Sequence, residues 1–313
     1  MEKSIRIGTR ESQLAVWQAE LVQKFLLQNG FKSELKFIKS DGDIDLVTPL
    51  YEIGVQGVFT KTLDAALLSD QIDIAVHSMK DVPTQLAKGI AQAAVLKRAS
   101  YKDLLVYKNE QLAIDNEQLS IVNYPLSIAT SSIRRKAQWL NRYPNTEIEN
   151  LRGNVNTRLK KLNESNWDGA IFAAAGLERI NLRPKNSIEL DWMLPAPAQG
   201  AIMIVCKEED IFSKQACSFL NDEATALCTK IERDFLRKLL GGCSTPISAL
   251  AEIKNDIIYF KGNICAVDGS EKIEIEKISD IKNAQSLGII AAEEIIRKGA
   301  DKLIQALQTC KVM

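Results

Sequence analysis

A stretch in the first third of the chain reads Ile72-Asp73-Ile74-Ala75-Val76-His77-Ser78-Met79-Lys80-Asp81-Val82-Pro83-Thr84. Its first half is apolar and rich in β-branched residues, which predicts a short buried strand. Pro83 cannot donate a backbone hydrogen bond to a sheet and therefore ends the element. The polar side chains of His77, Lys80 and Asp81 would then lie at the carboxyl end of a parallel strand, where open α/β sheets bind their ligands.

Taken alone, a lysine beside an aspartate is more often a solvated turn than a site, and the surrounding pattern is needed to decide. Strand, turn and helix signals repeat on both sides of this stretch. Strands are predicted over 4–8, 34–39, 90–96, 104–107, 126–129, 147–150, 167–174 and 201–205. Helices are expected to follow several of them, which is the pattern of an α/β fold with parallel strands.

Arginines recur at or just after these predicted strand ends. One such arginine is usually a surface residue, but several at equivalent positions of two repeats can converge on one cleft. Arginine pairs with carboxylates and phosphates bidentately, so the pattern predicts a ligand with several anionic groups. No dinucleotide fingerprint or Walker loop is present, so nucleotides are not favoured. The six arginines are Arg10, Arg134, Arg135, Arg152, Arg158 and Arg179.

The strongest of these signals is Thr130-Ser131-Ser132 followed by Arg134 and Arg135. Hydroxyls and free N–H groups at a helix start attract a carboxylate or phosphate, although a solvated basic face remains the alternative. Adjacent arginines point about 100° apart on a helix, so we expect them to bind two different anionic groups. A second, weaker helix start is expected at Thr9, whose side chain would cap the first helix beside Arg10.

Length and composition set the limits of the fold. The 313 residues predict two or three domains, and 40 Lys and Arg against 40 Asp and Glu give no sign of a nucleic-acid or anionic membrane partner. No apolar signal-peptide region follows Met1, and no run of about eighteen apolar residues occurs. We therefore expect a cytoplasmic protein without membrane segments, and a monomer because no long apolar stripe is left over.

The cysteines and the single histidine restrict the chemistry. All six cysteines lie in the last third without a C-x-x-C pair, and His77 alone cannot build a multi-histidine metal centre, so no metal is expected. A Ser-His-Asp or Cys-His mechanism would need His77 itself as the base. Cys243 follows Gly241-Gly242 and precedes a turn, which leaves its thiol sterically open. The other five cysteines are expected to be inert packing residues.

Three further segments complete the prediction. Residues 40–57 are polar and broken by glycine and proline, which predicts a mobile lid or a disordered segment. Residues 195–200 form a stiff proline-rich linker and a candidate hinge. After a long amphipathic helix over 221–240, strands are expected near 257–260, 263–267 and 272–275 and helices from Asn283 and Asp301, which together make a small α+β domain.

The motifs quoted above, read together, resemble the porphobilinogen deaminase (hydroxymethylbilane synthase) family. The resemblance extends over nearly the whole chain and also includes Gly241-Gly242-Cys243-x-x-Pro246-Ile247. The other motifs that carry it are Gly8-Thr9-Arg10-x-Ser12-x-Leu14-Ala15, His77-Ser78-Met79-Lys80-Asp81-Val82-Pro83, Thr130-Ser131-Ser132-x-Arg134-Arg135 and Leu151-Arg152-Gly153-Asn154-Val155.

The resemblance implies two domains like periplasmic binding proteins of the second type, with a cleft between them, and a small α+β third domain. We expect domain 1 over residues 1–99 and 198–219, with the catalytic aspartate and the loop 40–57. Domain 2 would span 103–195 and contain the arginine-rich cradle. Domain 3 would span 221–313 and carry the cofactor cysteine.

The resemblance also implies an activity. One dipyrromethane cofactor would be attached through Cys243 and serve as the primer. Four porphobilinogen molecules would be deaminated and joined to it head to tail, and hydroxymethylbilane would be released as in haem biosynthesis. Each pyrrole carries an acetate and a propionate, which agrees with converging arginines. The rival interpretation is a non-catalytic polyanion-binding protein of the same fold.

Residue roles follow from the same resemblance. Asp81 is expected to be the catalytic carboxylate. The cofactor would be bound by Lys80, Thr130, Ser132, Arg134 and Arg135, and the substrate or growing chain by Arg10, Ser12, Arg152, Arg158 and Arg179.

Two positions depart from the family pattern. Gln56 stands where the family commonly has lysine, which weakens the expectation that the loop 40–57 supplies a cation. Ala198 replaces a common glycine before Gln199-Gly200 and is expected to stiffen the hinge.

Overall fold

The computed structural model describes residues 4–39, 60–108, 113–115, 118–120, 126–239 and 245–309. Within these ranges the chain forms two five-stranded sheets, a three-stranded sheet and a two-stranded hairpin. Helices pack against the three larger sheets. None of the helices in these ranges is long and apolar enough to span a membrane.

The first sheet contains the quoted stretch. Its strands have the order β2-β1-β3-β12-β4, where β12 (Ile202–Lys207) comes from much later in the chain. Strands β1, β2 and β3 are parallel, and β12 is antiparallel to both of its neighbours. Its first elements are β1 (Ile5–Thr9), α1 (Gln13–Gln28), β2 (Ser33–Phe37), α2 (Lys61–Leu68), β3 (Ile74–Ser78) and β4 (Ile90–Val95).

The second sheet repeats this plan with the order β11-β5-β10-β8-β9, in which β8, β9 and β10 are parallel and β5 is antiparallel to both of its neighbours. A separate hairpin is formed by β6 and β7. The elements of this part are β5 (Asp103–Tyr107), β6 (Ala113–Asp115), β7 (Gln118–Ser120), β8 (Ser127–Ala129), α3 (Ile133–Arg142), β9 (Glu147–Glu149), α4 (Val155–Glu164), β10 (Gly169–Ala173), α5 (Ala174–Glu178) and β11 (Ser187–Glu189).

The chain then returns to the first sheet and continues into the third. The return confirms the predicted strand near 201–205, since β12 pairs with β3 and β4. The third sheet has the order β13-β14-β15 and packs against α7 and α8. The remaining elements are β12 (Ile202–Lys207), α6 (Ile211–Ser218), α7 (Glu223–Lys238), β13 (Ile247–Lys254), β14 (Ile257–Cys265), β15 (Lys272–Asp280), α8 (Leu287–Ile295) and α9 (Asp301–Thr309).

The predicted α/β class is confirmed: the described residues form two α/β parts and a small sheet domain that follows them in the chain. The side chains of β1 point alternately to the two faces of the sheet, and those of Ile5 and Ile7 lie on the face that α1 covers. Ile5 and Ile7 are fully buried against Val22 and Leu26 of α1. The helix ends as expected at Gln28, before Gly30, which has a φ of +83°.

Two local predictions were wrong. The first helix begins at Gln13 with Ser12 at its N-cap, because Thr9 still belongs to β1. In the third sheet, β13 was missed, and the two strands expected over 257–267 are one strand, β14. Gly262 interrupts the apolar pattern and was taken for a break between two strands. Glycine is needed there because a Cβ at this position would lie 2.7 Å from the ring of Phe235.

Candidate active site

The quoted stretch places Lys80 and Asp81 at the carboxyl end of β3, as predicted. The strand ends at Ser78, whose hydroxyl accepts a hydrogen bond of 2.9 Å from Gln18 on α1. A 3-10 turn follows over Met79–Asp81, and its first N–H donates to the carbonyl of Ala201 at 3.0 Å. The turn is thus fixed by one bond to α1 and one to the residue before β12, while the side chains of Lys80 and Asp81 remain half-buried.

Asp81 differs from other carboxylates of the cleft in its hydrogen bonding. No donor among the described residues reaches its side chain, although the charges of Lys80 and Arg158 act on it through space. A half-buried carboxylate in a cation-rich cleft is available to accept a hydrogen bond from a ligand. This is the arrangement that a carboxylate needs in order to stabilise a cation or move a proton.

Arg134 and Arg135 lie buried in the first turn of α3 and both contact Asp103. Arg134 reaches Oδ2 at 2.8 Å, and Arg135 reaches Oδ1 at 2.7 Å through Nη2 and at 3.1 Å through Nε. Within the described residues the two side chains thus share one carboxylate, and the expectation that they bind two different anionic groups of a ligand stays a prediction. A buried carboxylate draws both of them together, because burying either guanidinium without a counter-ion would be costly.

Both arginines are further oriented by backbone carbonyls. Arg134 donates to the carbonyl of Leu194 at 2.8 Å, and Arg135 to that of Ile171 at 2.9 Å. The Nε of Arg134 is buried and has no hydrogen-bond partner among the described residues. A buried N–H donor without a partner is costly, and a carboxylate bound in the cleft would satisfy it.

The hydroxyls at the start of α3 are held in place as well. The hydroxyl of Ser132 caps the helix by accepting from the N–H of Arg135 at 3.5 Å, and that of Thr130 accepts from the N–H of Ser132 at 3.2 Å. Each O–H proton is still available to a ligand. Ser131 is committed otherwise, because its hydroxyl donates to the carbonyl of Leu151.

Arg152 and Arg158 come from the next strand-to-helix turn and join the same group of charges. Arg152 is buried, and Arg158 donates to the carbonyl of Gly153 at 2.7 Å. Burial lowers the pKa of Arg158 to about 10, and the charges of Arg135 and Arg152 act in the same direction while Asp81 opposes them. These mutual effects mean that the two arginines and Asp81 lie close together.

Lys80 is the cation that the first sheet contributes to this group. Burial lowers its pKa to about 8; the charge of Asp81 opposes the shift, and that of Arg135 adds to it. Its ammonium group donates to Oε1 of Gln199 at 3.3 Å. Five cations, Lys80, Arg134, Arg135, Arg152 and Arg158, thus face the carboxylates of Asp81 and Asp103.

The remaining predicted residues lie beside this group. Arg10 is half-buried just after β1, and its charge, after burial, lowers the pKa of His77 to about 3. His77 is therefore neutral at physiological pH, and its low pKa makes it a weak base. Ser12 is the N-cap of α1.

Arg179 lies with the hinge rather than with the other arginines. It donates to the carbonyl of Gly200 at 2.6 Å and stands 5.8 Å from the ring centre of Trp17. Burial lowers its pKa to about 10.

Two residues of the site were missed in the sequence. Asp103 opens β5 and was overlooked because the apolar pattern begins one residue later. Gln199 joins the two sheets, since its Oε1 accepts from Lys80 while its Nε2 donates to Oδ1 of Asp103 at 2.9 Å and to the carbonyl of Tyr101 at 2.8 Å. The signals available in the sequence were a carboxylate at the start of an apolar strand, for Asp103, and an amide in a proline-rich linker, for Gln199.

Several predictions fall on residues that the structure does not describe. Cys243, Gln56 and the segment 40–57 lie outside the described residues. Of the other cysteines, Cys206, Cys217, Cys228 and Cys265 are buried, and burial raises the pKa of the Cys217 and Cys265 thiols to about 12. The prediction that these four are packing residues is confirmed.

Fold and site together define a class: an α/β protein in which the first two sheets bring together a group of cations suited to a ligand with several anionic groups. Family models make the assignment specific. One described as "Porphobilinogen deaminase, dipyromethane cofactor binding domain" matches residues 5–215, and one described as "Porphobilinogen deaminase, C-terminal domain" matches residues 226–297. The chain belongs to the porphobilinogen deaminase family.

Individual proteins agree with this assignment. The porphobilinogen deaminase of Chlorobium phaeobacteroides (strain BS1) is 38% identical over 319 residues, which cover 99% of this chain and 100% of that protein. That of Campylobacter hominis is 40% identical over 308 residues, which cover 96% and 97%. Among solved structures, the periplasmic VFT2 domain of Bordetella pertussis BvgS is similar with 13% identity and a TM-score of 0.43, over 71% of this chain and 90% of that one.

The described residues fit the dipyrromethane cofactor of this family. A dipyrromethane with acetate and propionate side chains carries several carboxylates, and the cleft holds more cations than its own carboxylates neutralise. The buried Nε of Arg134 is a donor still to be satisfied. Family membership also favours the catalytic function over the non-catalytic polyanion-binding alternative.

Proposed function

We propose that Asp81 is the catalytic carboxylate of this porphobilinogen deaminase and that the cleft between the first two sheets is its active site. The protein is a transferase of tetrapyrrole biosynthesis, a hydroxymethylbilane synthase with a dipyrromethane cofactor. It joins four porphobilinogen molecules head to tail and releases hydroxymethylbilane. The observation that carries the role of Asp81 is its half-buried carboxylate, which receives no hydrogen bond from the described residues and lies beside Lys80 and Arg158.

Asp81 can act on both halves of each cycle. Loss of ammonia from porphobilinogen leaves a cation spread over the pyrrole ring and its nitrogen, and a fixed carboxylate at the pyrrole N–H stabilises that charge. The carboxyl group gives one proton to the leaving amine and later takes one from the newly coupled carbon. The two transfers balance, so Asp81 returns to its starting state after every addition.

The predicted binding residues divide between two tasks. Lys80, Thr130, Ser132, Arg134 and Arg135 would hold the carboxylates of the cofactor, and Asp103 keeps the two arginines in position. When bound through Cys243, the cofactor supplies the pyrrole carbon to which the first substrate is joined. The carboxylates of incoming porphobilinogen would be bound by Arg10, Ser12, Arg152, Arg158 and Arg179.

The domain assignment is part of the proposal. Domain 1 comprises residues 1–99 and 198–219, domain 2 residues 103–195, and domain 3 residues 221–313. The crossing of the chain from β4 to β5 and its return through β12 support these boundaries. We also propose a cytoplasmic monomer with porphobilinogen as its small-molecule substrate and no nucleic-acid or membrane partner, in line with 40 basic against 40 acidic residues.

Mass spectrometry tests the proposal directly. The purified protein is weighed intact, incubated with porphobilinogen, weighed again and digested. We expect two linked pyrrole units on the peptide that contains Cys243, and further units after addition of substrate. Cys243→Ser should carry no adduct, whereas the control Cys265→Ser, at a buried cysteine, should keep it. A parent protein that gains no mass with porphobilinogen would contradict the function.

A further inference from the structure

Arg233 of α7 binds the backbone of the turn that carries Asp81. Its Nη1 donates to the carbonyl of Val82 at 2.9 Å and to that of Met79 at 3.3 Å. Its Nη2 donates to the carbonyl of Pro83 at 2.5 Å. The guanidinium is buried, and its three acceptors lie on both sides of Asp81 in the chain.

These contacts join two parts of the molecule that are far apart in sequence. Arg233 belongs to the helix that packs on the third sheet, and the turn ends a strand of the first sheet, about 150 residues earlier. The turn's own bonds, from the N–H of Met79 to Ala201 and from that of Val82 to Met79, leave the carbonyls of Val82 and Pro83 to Arg233. A rigid planar fork of donors suits such a set of carbonyls better than a single ammonium does.

The charges around Arg233 indicate that its guanidinium serves the turn. Its neighbour Glu232 accepts from Arg98 at 2.6 Å and 3.0 Å. Its other neighbour, Asp234, is paired with Lys230 and Arg237. Both carboxylates are thus engaged by other cations, and the carbonyl dipoles of the turn offset part of the cost of burying Arg233.

The position of α7 gives these bonds a functional meaning. The helix ends at Lys238, and Cys243 follows a few residues later in the chain. The same helix therefore holds the turn of Asp81 and precedes the proposed cofactor cysteine. A displacement of about 1 Å at a reacting group can cost about 100-fold in rate, so the position of Asp81 must be held closely.

We propose that Arg233 is a positioning residue that fixes the turn carrying Asp81 relative to α7. The inference rests on the proposed catalytic role of Asp81. Through Arg233, α7 would contribute to the reaction at the carboxyl end of β3. Through these bonds Arg233 holds the backbone of the turn, and it acts on the reaction indirectly, through Asp81.

Steady-state kinetics of cofactor-loaded variants tests this inference. Arg233→Gln should lower kcat about 10- to 100-fold and change KM less than about threefold, because the geometry of Asp81 changes and the substrate-binding arginines do not. Arg233→Lys should recover part of kcat, since an ammonium can still donate to carbonyls. Lys230→Gln, one turn earlier on the same helix, is the matched control and should leave kcat within about twofold.

A double-mutant cycle with Asp81→Glu separates positioning from a general loss of structure. In that background the carboxylate is already displaced, so Arg233→Gln should cost less than about threefold in kcat. An undiminished cost there, or an effect on KM alone, would overturn the inference. If Arg233→Gln does not fold, Arg233→Lys takes its place in the cycle with the same criteria. Parent-like activity of Asp81→Glu and Asp81→Asn would instead refute the role of Asp81.

Discussion

Two aspartates of the cleft, Asp81 and Asp103, have opposite surroundings. Asp103 is fully buried and accepts hydrogen bonds from Arg134, Arg135 and Gln199. Asp81 is half-buried and receives none from the described residues. A carboxylate that is saturated with donors holds its neighbours in place, whereas one without donors is available to a ligand. This difference in hydrogen bonding agrees with a structural role for Asp103 and with the catalytic role that we propose for Asp81.

The largest expected effect comes from the available carboxylate. Asp81→Asn should lower turnover about 10²- to 10⁴-fold, the range that one positioned acid–base group contributes. The free energy of unfolding should change by less than about 0.5 kcal/mol, because no hydrogen bond of the described residues is lost. Turnover of the loaded enzyme and urea unfolding measure the two quantities. Substantial residual turnover would remove the distinction between the two aspartates.

The saturated carboxylate should show the reverse pattern. Asp103→Asn leaves two buried guanidinium groups without a full counter-ion, and breaking such a pair costs about 3–5 kcal/mol. Urea unfolding at neutral pH should show this loss. The control Asp191→Asn removes an exposed ion pair with Lys102 and should cost less than about 1 kcal/mol. Equal stability of the two variants would contradict the structural role of Asp103.

Acid sharpens the same contrast. Burial alone would raise the pKa of Asp103, but Arg134 and Arg135 lower it below its usual range. A lowered folded-state pKa gives stability that is present above the unfolded value of about 4 and is lost as the pH falls through the folded value. The difference in unfolding free energy between the parent and Asp103→Asn should therefore be constant near neutral pH and shrink below about pH 4.

The contrast also explains what could be predicted from the sequence. Asp81 was singled out as a candidate because it lies just after an apolar strand and before Pro83, which are local signals; its catalytic role came from the family resemblance. Asp103 acquires its role from Arg134 and Arg135, 31 and 32 residues away, and from Gln199, 96 residues away. Such partners are brought together only by the sheet topology, so no local pattern reveals them.

The fold shows the same division between local and distant causes. Strands and helices of the first two sheets were predicted because their apolar periodicity is regular and their turns carry glycine or proline. β14 was divided in two because Gly262 reads as a break, whereas Phe235 of a distant helix requires it. Arg98 and Arg233 were not recognised as contacts to distant segments for the same reason.

The smallest expected effect concerns Ala198, in the predicted hinge beside both aspartates. Ala198 has a φ of +62° and precedes Gln199, which bridges Lys80 and Asp103. The left-handed conformation costs an alanine about 1–2 kcal/mol, which supports the expectation that alanine stiffens this position. Glycine would release that strain but lose about 0.5–1 kcal/mol in backbone entropy and about 0.8 kcal/mol in methyl burial.

These opposing terms nearly cancel, so Ala198→Gly should leave the free energy of unfolding within about 0.5 kcal/mol of the parent. Ala216→Gly is the matched control, since Ala216 is equally buried but lies inside the right-handed helix α6. There glycine releases no strain, and the loss should be about 2 kcal/mol. Urea unfolding of both variants measures the difference. If the free energy of unfolding falls equally at the two positions, the backbone of Ala198 is not strained, and strain does not stiffen the residue before Gln199.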